Sequence, residues 1–210
     1  MKVSKEEWRK ANQQFLSWRG RQMPSGQHPH FSDFVAFCNL NGRILDLGCG
    51  GGSFGTTFSY PPNYVGVDPT PVSSHPFRFV LGMAESLPFR SGSFDLVISK
   101  ANLQHSMDVG GTLEESKRVL KRGGRFCAWT VVTRSGLHWK MQRALDIVRR
   151  EGAGALLRRR RPSEKKDREE TYGYAHHFRD EEILEEILTK FPKHRRILFD
   201  QDLFFEGTRD

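Results

Sequence analysis

Two carboxylates bracket a run of glycines in the first half of the chain. Asp46 lies in the apolar run ILDL, Gly48, Gly50 and Gly52 follow within GCGGGSFG, and Asp68 closes the next apolar run, YVGVD. Glycine lets a backbone turn sharply and approach a ligand with no Cβ in the way. Gly50, Gly52 and Gly55 also satisfy G-x-G-x-x-G, in which Asp68 takes the place of the acid that bonds a ribose. Alone, that spacing suits a dinucleotide site or a purely structural turn.

Asp46 separates the two kinds of ligand. It sits two positions before Gly48, where a dinucleotide would lay its pyrophosphate, and an anion there is repelled by roughly a few kcal/mol if poorly solvated. A ligand that is cationic at that point is held instead. S-adenosylmethionine has an ammonium, a sulfonium, a ribose and an adenine, and no phosphate. Asp46 for the cationic end and Asp68 for the ribose hydroxyls make one coherent site; a nicotinamide dinucleotide does not fit it.

These residues need rigid elements to hold them. RILDLGC, YVGVDP, FRFVLG, FDLVISK and RFCAWTVV are continuous apolar runs, the pattern of buried parallel strands. GTLEESKRVLKRGG reads as a helix stopped by the paired glycines, with Lys117, Arg118, Lys121 and Arg122 at its C-terminal end. Phe31 to Leu40 reads as a short helix with Ser32 at its N-cap, and DEEILEEILTKF as another helix. Strands alternating with helices predict an α/β fold, a mostly parallel sheet with helices on both faces. HRRILFDQD and LFFEGTRD are joined tightly enough to be an antiparallel pair.

Composition limits the rest. The chain of 210 residues suits one domain with a sizeable core. Three cysteines, odd in number and without ligand spacing, argue against a disulfide scaffold or a zinc site, so no metal is expected. No apolar run is long enough to span a membrane, and the charged start is unlike a signal peptide; a cytoplasmic location is the expectation. The formal charge of +8 is local, with eleven basic and four acidic residues between Lys140 and Arg168. The expected organisation is an N-terminal helical cap over 1–40 and one domain over 41–210, interrupted by a basic, lid-like insert at 134–175.

From Asn41 onward the chain resembles the class I S-adenosylmethionine-dependent methyltransferases, particularly the type 11 group. The likeness rests on ILDLGCGGG, YVGVDPTP, AESLPFRSGSFDLVIS, RVLKRGGRF and HHFRDEEILEEIL, in the family's order. The resemblance implies a Rossmann-like sheet of seven strands, mostly parallel, with an antiparallel last strand. It implies that Asp46, Gly48, Gly50 and Gly52 line the methionine part of the cofactor and that Asp68 binds the ribose. Ala84 and Glu85 would border the adenine, and Lys100 to Asn102 would flank the methyl group. Met83 stands where the family usually has an acid.

Methyl transfer is an in-line displacement, so alignment dominates, and a base is needed only when the acceptor must lose a proton. His105 is the first candidate base because it follows the strand that should end beside the methyl group. His176 and His177 lie before the late helix, in a loop expected to cover the acceptor, where Tyr172 and Tyr174 could line the pocket. The basic insert admits a solvated lid, steering of an anionic small molecule, or contacts to RNA phosphates. Methyl transfer to a small molecule is the leading reading. An RNA methyltransferase and a catalytically silent binding subunit are its rivals.

Overall fold

The computed structural model describes residues 6–7, 10, 30–52, 54, 58–71, 74–133, 148, 178–179, 185–187, 189–199 and 201–210. The apolar runs form strands, as their continuity predicts. They are β1 (Ile44–Leu47), β2 (Tyr64–Asp68), β3 (Arg78–Leu81), β4 (Phe94–Lys100) and β5 (Leu120–Thr133). A two-residue strand, β6 (Phe178–Arg179), pairs with β5 and was not anticipated from HHFRD. The chain then makes the hairpin β7 (Lys193–Phe199) and β8 (Asp202–Thr208).

The strand order is β3-β2-β1-β4-β5-β8-β7. The pairs from β3 through β5 are parallel; β8 runs antiparallel to both β5 and β7. The main path is therefore the expected seven-strand, Rossmann-like sheet with one reversed strand, the last in sequence.

Side chains alternate between the two faces and divide the core. Leu45, Leu47, Val97, Phe126, Ala128, Leu203 and Phe205 pack on one face with Val109, Leu113 and Val119 of α2 (Val109–Val119) and with Ile187 and Phe191. Ile44, Leu96, Ile98, Cys127, Trp129 and Phe204 pack on the other with Phe34 and Phe37 of α1 (Phe31–Cys38). Each fully buried phenylalanine contributes about 1.5–3 kcal/mol relative to exposure.

Three details depart from the sequence reading. Ser32 is inside α1 and does not cap it; His30 holds the N-cap position, and the helix ends at Asn39 in the left-handed region, φ 45°. α2 stops at Val119, and β5 begins at Leu120 without a break. Pairing of Leu120 with Phe94, and the Lys121 ammonium 2.6 Å from Asp95, outweigh the helix preference of VLKR. Gly123, at φ 73°, instead serves an irregularity where β4 and β5 shift register. Finally, β3 is an edge strand with exposed ends and half-buried centre, not a buried one. The proline-bearing residues 69–71 and 74–77 form no helix to cover it.

α1, which falls within the expected 1–40 cap, packs in the common core. Its last carbonyls are held from the sheet: Arg195 donates to the Phe37 carbonyl at 2.9 Å, and Arg125 to the Asn39 carbonyl at 3.0 Å. Both arginines also bond Glu206 of β8, and the Arg195 guanidinium lies 4.4 Å from the Phe37 ring centre.

Candidate functional site

The carboxyl ends of β1, β2 and β4 meet above the sheet, where ligands bind in open α/β folds. The turn after β1 is tight because only glycine tolerates it. Gly48, Gly50 and Gly52 have φ of 65°, 50° and 123°. A Cβ on Gly48 would stand 2.1 Å from the Asn102 amide oxygen, and one on Gly52 would stand 2.7 Å from the Tyr60 hydroxyl. Asn102 is brought over Gly48 by a bend at Ala101, a non-glycine residue in the left-handed region at φ 52°. Such a residue costs about 1–2 kcal/mol, a strain characteristic of functional sites.

The two acids flank this turn. Asp68 is 5% exposed; one of its oxygens accepts from the Gly50 amide at 3.0 Å and the other from the Thr70 amide at 2.8 Å. Burial pushes its carboxyl up despite those two amides. Asp46 is fully buried and accepts a 2.7 Å hydrogen bond from the Tyr64 hydroxyl. Burial first, then the charges of Asp46 and Asp68 together, drive the Cys49 thiol far above its ordinary range. Cys49 is thus a neutral buried filler of the turn, between two acids whose bonds described above all come from uncharged donors.

A shallow cleft, open to solvent, lies beside the turn. Gly48, Val67, Pro69 and Gly82 line it, with Ala84, Glu85, Asn102 and Ser106. Gly48, Ala84 and Glu85 thus line one cleft, and Asp68 lies between its wall residues Val67 and Pro69. Asp46 is turned to Tyr64 beneath the turn and is not part of the cleft wall. Val67, Pro69, Gly82 and Ser106 were not singled out from sequence; only their place at strand ends could have identified them.

The far wall is braced from α2. Glu85 accepts from the Met107 amide at 2.6 Å, and Glu115 from the Leu87 amide at 2.8 Å. Arg118 bonds Glu115 and donates to the Leu87 and Phe89 carbonyls at 3.0 and 2.8 Å. These bonds fix residues 85–89, whose one regular pairing is the isolated bridge of Ser86 with Met83.

Lys100, at the end of β4, places its ammonium 5.3 Å from the Trp129 ring centre and 6.0 Å from that of Phe31. His105 occupies a short 3-10 helix, Leu103–His105, and its amide bonds the Asn102 carbonyl at 2.8 Å. It is half-buried, and its neighbour Ser106, rather than His105 itself, lines the cleft. His176, His177, Tyr172 and Tyr174 lie outside the described residues, as do nearly all of the basic insert at 134–175 and most of the segment 1–40. Among the described residues, no cluster of three His, Cys, Asp or Glu could hold a metal, and no helix is long and apolar enough to cross a membrane.

Comparison with known proteins gives this geometry a context. The model of a methyltransferase domain family matches residues 45–128, from β1 into β5. The uncharacterized methyltransferase YcgJ of Bacillus subtilis is 38% identical over 105 residues, covering 44% of this chain and 42% of that protein. The chain spans less than half the length of the curated relatives it matches. Among solved structures, the Burkholderia thailandensis 1,6-didemethyltoxoflavin-N1-methyltransferase superposes with a TM-score of 0.60 at 15% identity, over 99% of this chain and 92% of that one. That enzyme was crystallised with its acceptor and S-adenosylhomocysteine. A SAM-dependent methyltransferase from Thermotoga maritima gives 0.57 at 18% identity, over 97% and 91%. At these identities the structural matches speak for the fold alone.

Proposed function

We propose that the chain, whose residues 45–128 match a methyltransferase domain family, is a class I S-adenosylmethionine-dependent methyltransferase and that it methylates a small molecule. The observation that carries this reading is a glycine turn between two buried acids, Asp46 and Asp68. That negative, phosphate-hostile environment suits a cationic nucleoside. The cleft is lined near the turn by Gly48, Gly82 and Ala84, so little side chain obstructs a planar base.

In this reading Asp68 accepts from the ribose hydroxyls while keeping the Gly50 amide, since a carboxylate offers about four acceptor positions. Gly48, Gly50 and Gly52 carry the amino-acid end, with Asp46 beneath them supplying negative charge. Ala84 and Glu85 border the base, where Met83 offers packing rather than a strong acceptor. Bound there, S-adenosylmethionine supplies a sulfonium-activated methyl group for direct displacement.

Lys100 belongs on the acceptor side of that methyl group. Two like charges 4 Å apart repel by about 4 kcal/mol near a protein surface, so an ammonium is a poor neighbour for a sulfonium. It suits an acceptor bearing a carboxylate or an ionised oxygen, and the flanking Phe31 and Trp129 rings favour an aromatic or apolar body. His105 is the proposed base where the acceptor must be deprotonated, with His176 and His177 as further candidates and Tyr172 and Tyr174 at the acceptor pocket.

Isothermal titration with S-adenosylmethionine and S-adenosylhomocysteine tests the proposal. Wild-type protein should bind both, and Asp68→Ala should weaken each by about tenfold or more, the worth of one or two charge-assisted hydrogen bonds. Absence of binding to the wild type, or equal affinity in Asp68→Ala, overturns it.

A further inference from the structure

We propose that Tyr64 is a positioning residue for the cofactor: its hydroxyl sets the orientation of the Asp46 carboxylate and thereby the affinity for the ligand's cationic amino-acid end. The proposal rests on the reading of the glycine turn as a S-adenosylmethionine site.

The alignment follows from strand register. β1 and β2 run parallel with Ile44 opposite Tyr64 and Asp46 opposite Gly66. Alternation places Ile44 and Asp46 on one face of β1, and Tyr64, Gly66 and Asp68 on the same face of β2. Tyr64 is therefore one pleat below Asp46 and must reach along the sheet to touch it. Gly66, between them on that face, leaves room for Phe77 and Cys49: a Cβ there would stand 2.4 Å from the Phe77 ring and 2.7 Å from the Cys49 sulfur. The phenol donates a 2.7 Å hydrogen bond to Asp46, both residues being at most 1% exposed.

The ring has little freedom to leave. Tyr60 packs edge-on against it at 4.8 Å between centres, and Phe77 lies at 5.0 Å. A hydroxyl fixed in this way selects one rotation of the carboxylate it bonds. It also does so without adding charge. A lysine or arginine in its place would bring a positive charge beside the acid, whereas the phenol brings none. Burial first, then the Asp46 charge, keep the phenol protonated well past its usual range, so it stays a donor at any working pH. An aliphatic residue would fill part of the volume and do neither.

Affinity for ligands that share the nucleoside but differ at the amino-acid end separates positioning from mere packing. Titrations of wild type and Tyr64→Phe would use S-adenosylmethionine, S-adenosylhomocysteine and adenosine. Tyr64→Phe should weaken the first two by about tenfold, as expected for one hydrogen bond to a charged group, and leave adenosine within about twofold. In the Asp46→Asn background the same change should have no further effect on S-adenosylmethionine. Equal weakening of all three ligands, unchanged or tighter S-adenosylmethionine binding, or a full Tyr64→Phe effect in the Asp46→Asn background overturns the assignment. If Tyr64→Phe alone does not fold, the Asp46→Asn pair, which leaves no buried carboxylate short of a donor, still decides it. Failure of the wild type to bind S-adenosylmethionine would instead sink the cofactor reading itself.

Discussion

Gly48 and Gly51 are three positions apart in the same turn, and a methyl group added to each meets opposite surroundings. At Gly48 it would collide with Asn102 in a backbone conformation that disfavours any side chain; at Gly51 it would meet nothing within 4 Å among the described residues. Gly48→Ala should therefore cost about 1–3 kcal/mol of stability, from the left-handed backbone and the displaced asparagine, and should lower cofactor affinity sharply. Gly51→Ala should leave both within about 0.5 kcal/mol. Thermal melts and titrations of the two variants check this, and equal behaviour would refute the argument. Motif spacing alone treats these glycines alike. The distinction needed the bend at Ala101 that swings Asn102 over the turn, a contact between segments 54 positions apart in sequence.

Among the elements, α2 does more than cover the sheet. Arg118 extends from it to the carbonyls of Leu87 and Phe89 and is itself pinned by Glu115. The same pairing holds Glu115 below the usual carboxylate range, mainly through the Arg118 bond. Arg118→Ala removes these donors together; a loss of about 1–3 kcal/mol and a several-fold weaker hold on adenosine are expected. Denaturant melts and adenosine titration would show it; intact adenosine affinity would mean that residues 85–89 do not need this brace. Strand identities were legible in the sequence because continuous apolar runs have few alternatives. The end of α2 was not. VLKRGG carries a helix-like pattern and a glycine stop, but pairing with β4 decided the matter at Val119, and no local signal reports that partner. The site was legible in the same uneven way. Asp46, Gly48 and Asp68 stand out by type and spacing, whereas Val67, Pro69, Gly82 and Ser106 acquire meaning only where strand ends converge. Tyr64 looked like an ordinary apolar strand residue, and its partner became visible only through the register of β1 on β2.

For the molecule as a whole, Glu206 joins three parts of the structure. Its side chain, 13% exposed, accepts from Arg125 of β5 and Arg195 of β7, the two arginines that cap the end of α1. Burial alone would raise its pKa, but the two guanidinium bonds outweigh it and hold the carboxyl below its usual value. A depressed acid contributes stability above the unfolded value, near 4.3, and loses it as pH falls through the lower folded value. Glu206→Gln should therefore be less stable than wild type by about 1–3 kcal/mol at pH ~7, and the gap should narrow below pH ~4. Denaturant melts across that range are the check; a gap independent of pH would assign the loss to packing rather than charge.

The reversed strand has a kinetic consequence. β8 lies between β5 and β7, and the Arg125–Glu206 bond across the β5–β8 pair joins residues 81 positions apart. Closing so long a loop is entropically expensive and comes before the contacts that reward it, which slows folding. Until residues 202–208 arrive, β5 shows a long row of open amides and carbonyls on that flank. Refolding from denaturant, or emergence from a ribosome, thus passes through a stage at which this protein is most prone to stick to its neighbours, and a short hairpin late in the chain ends it.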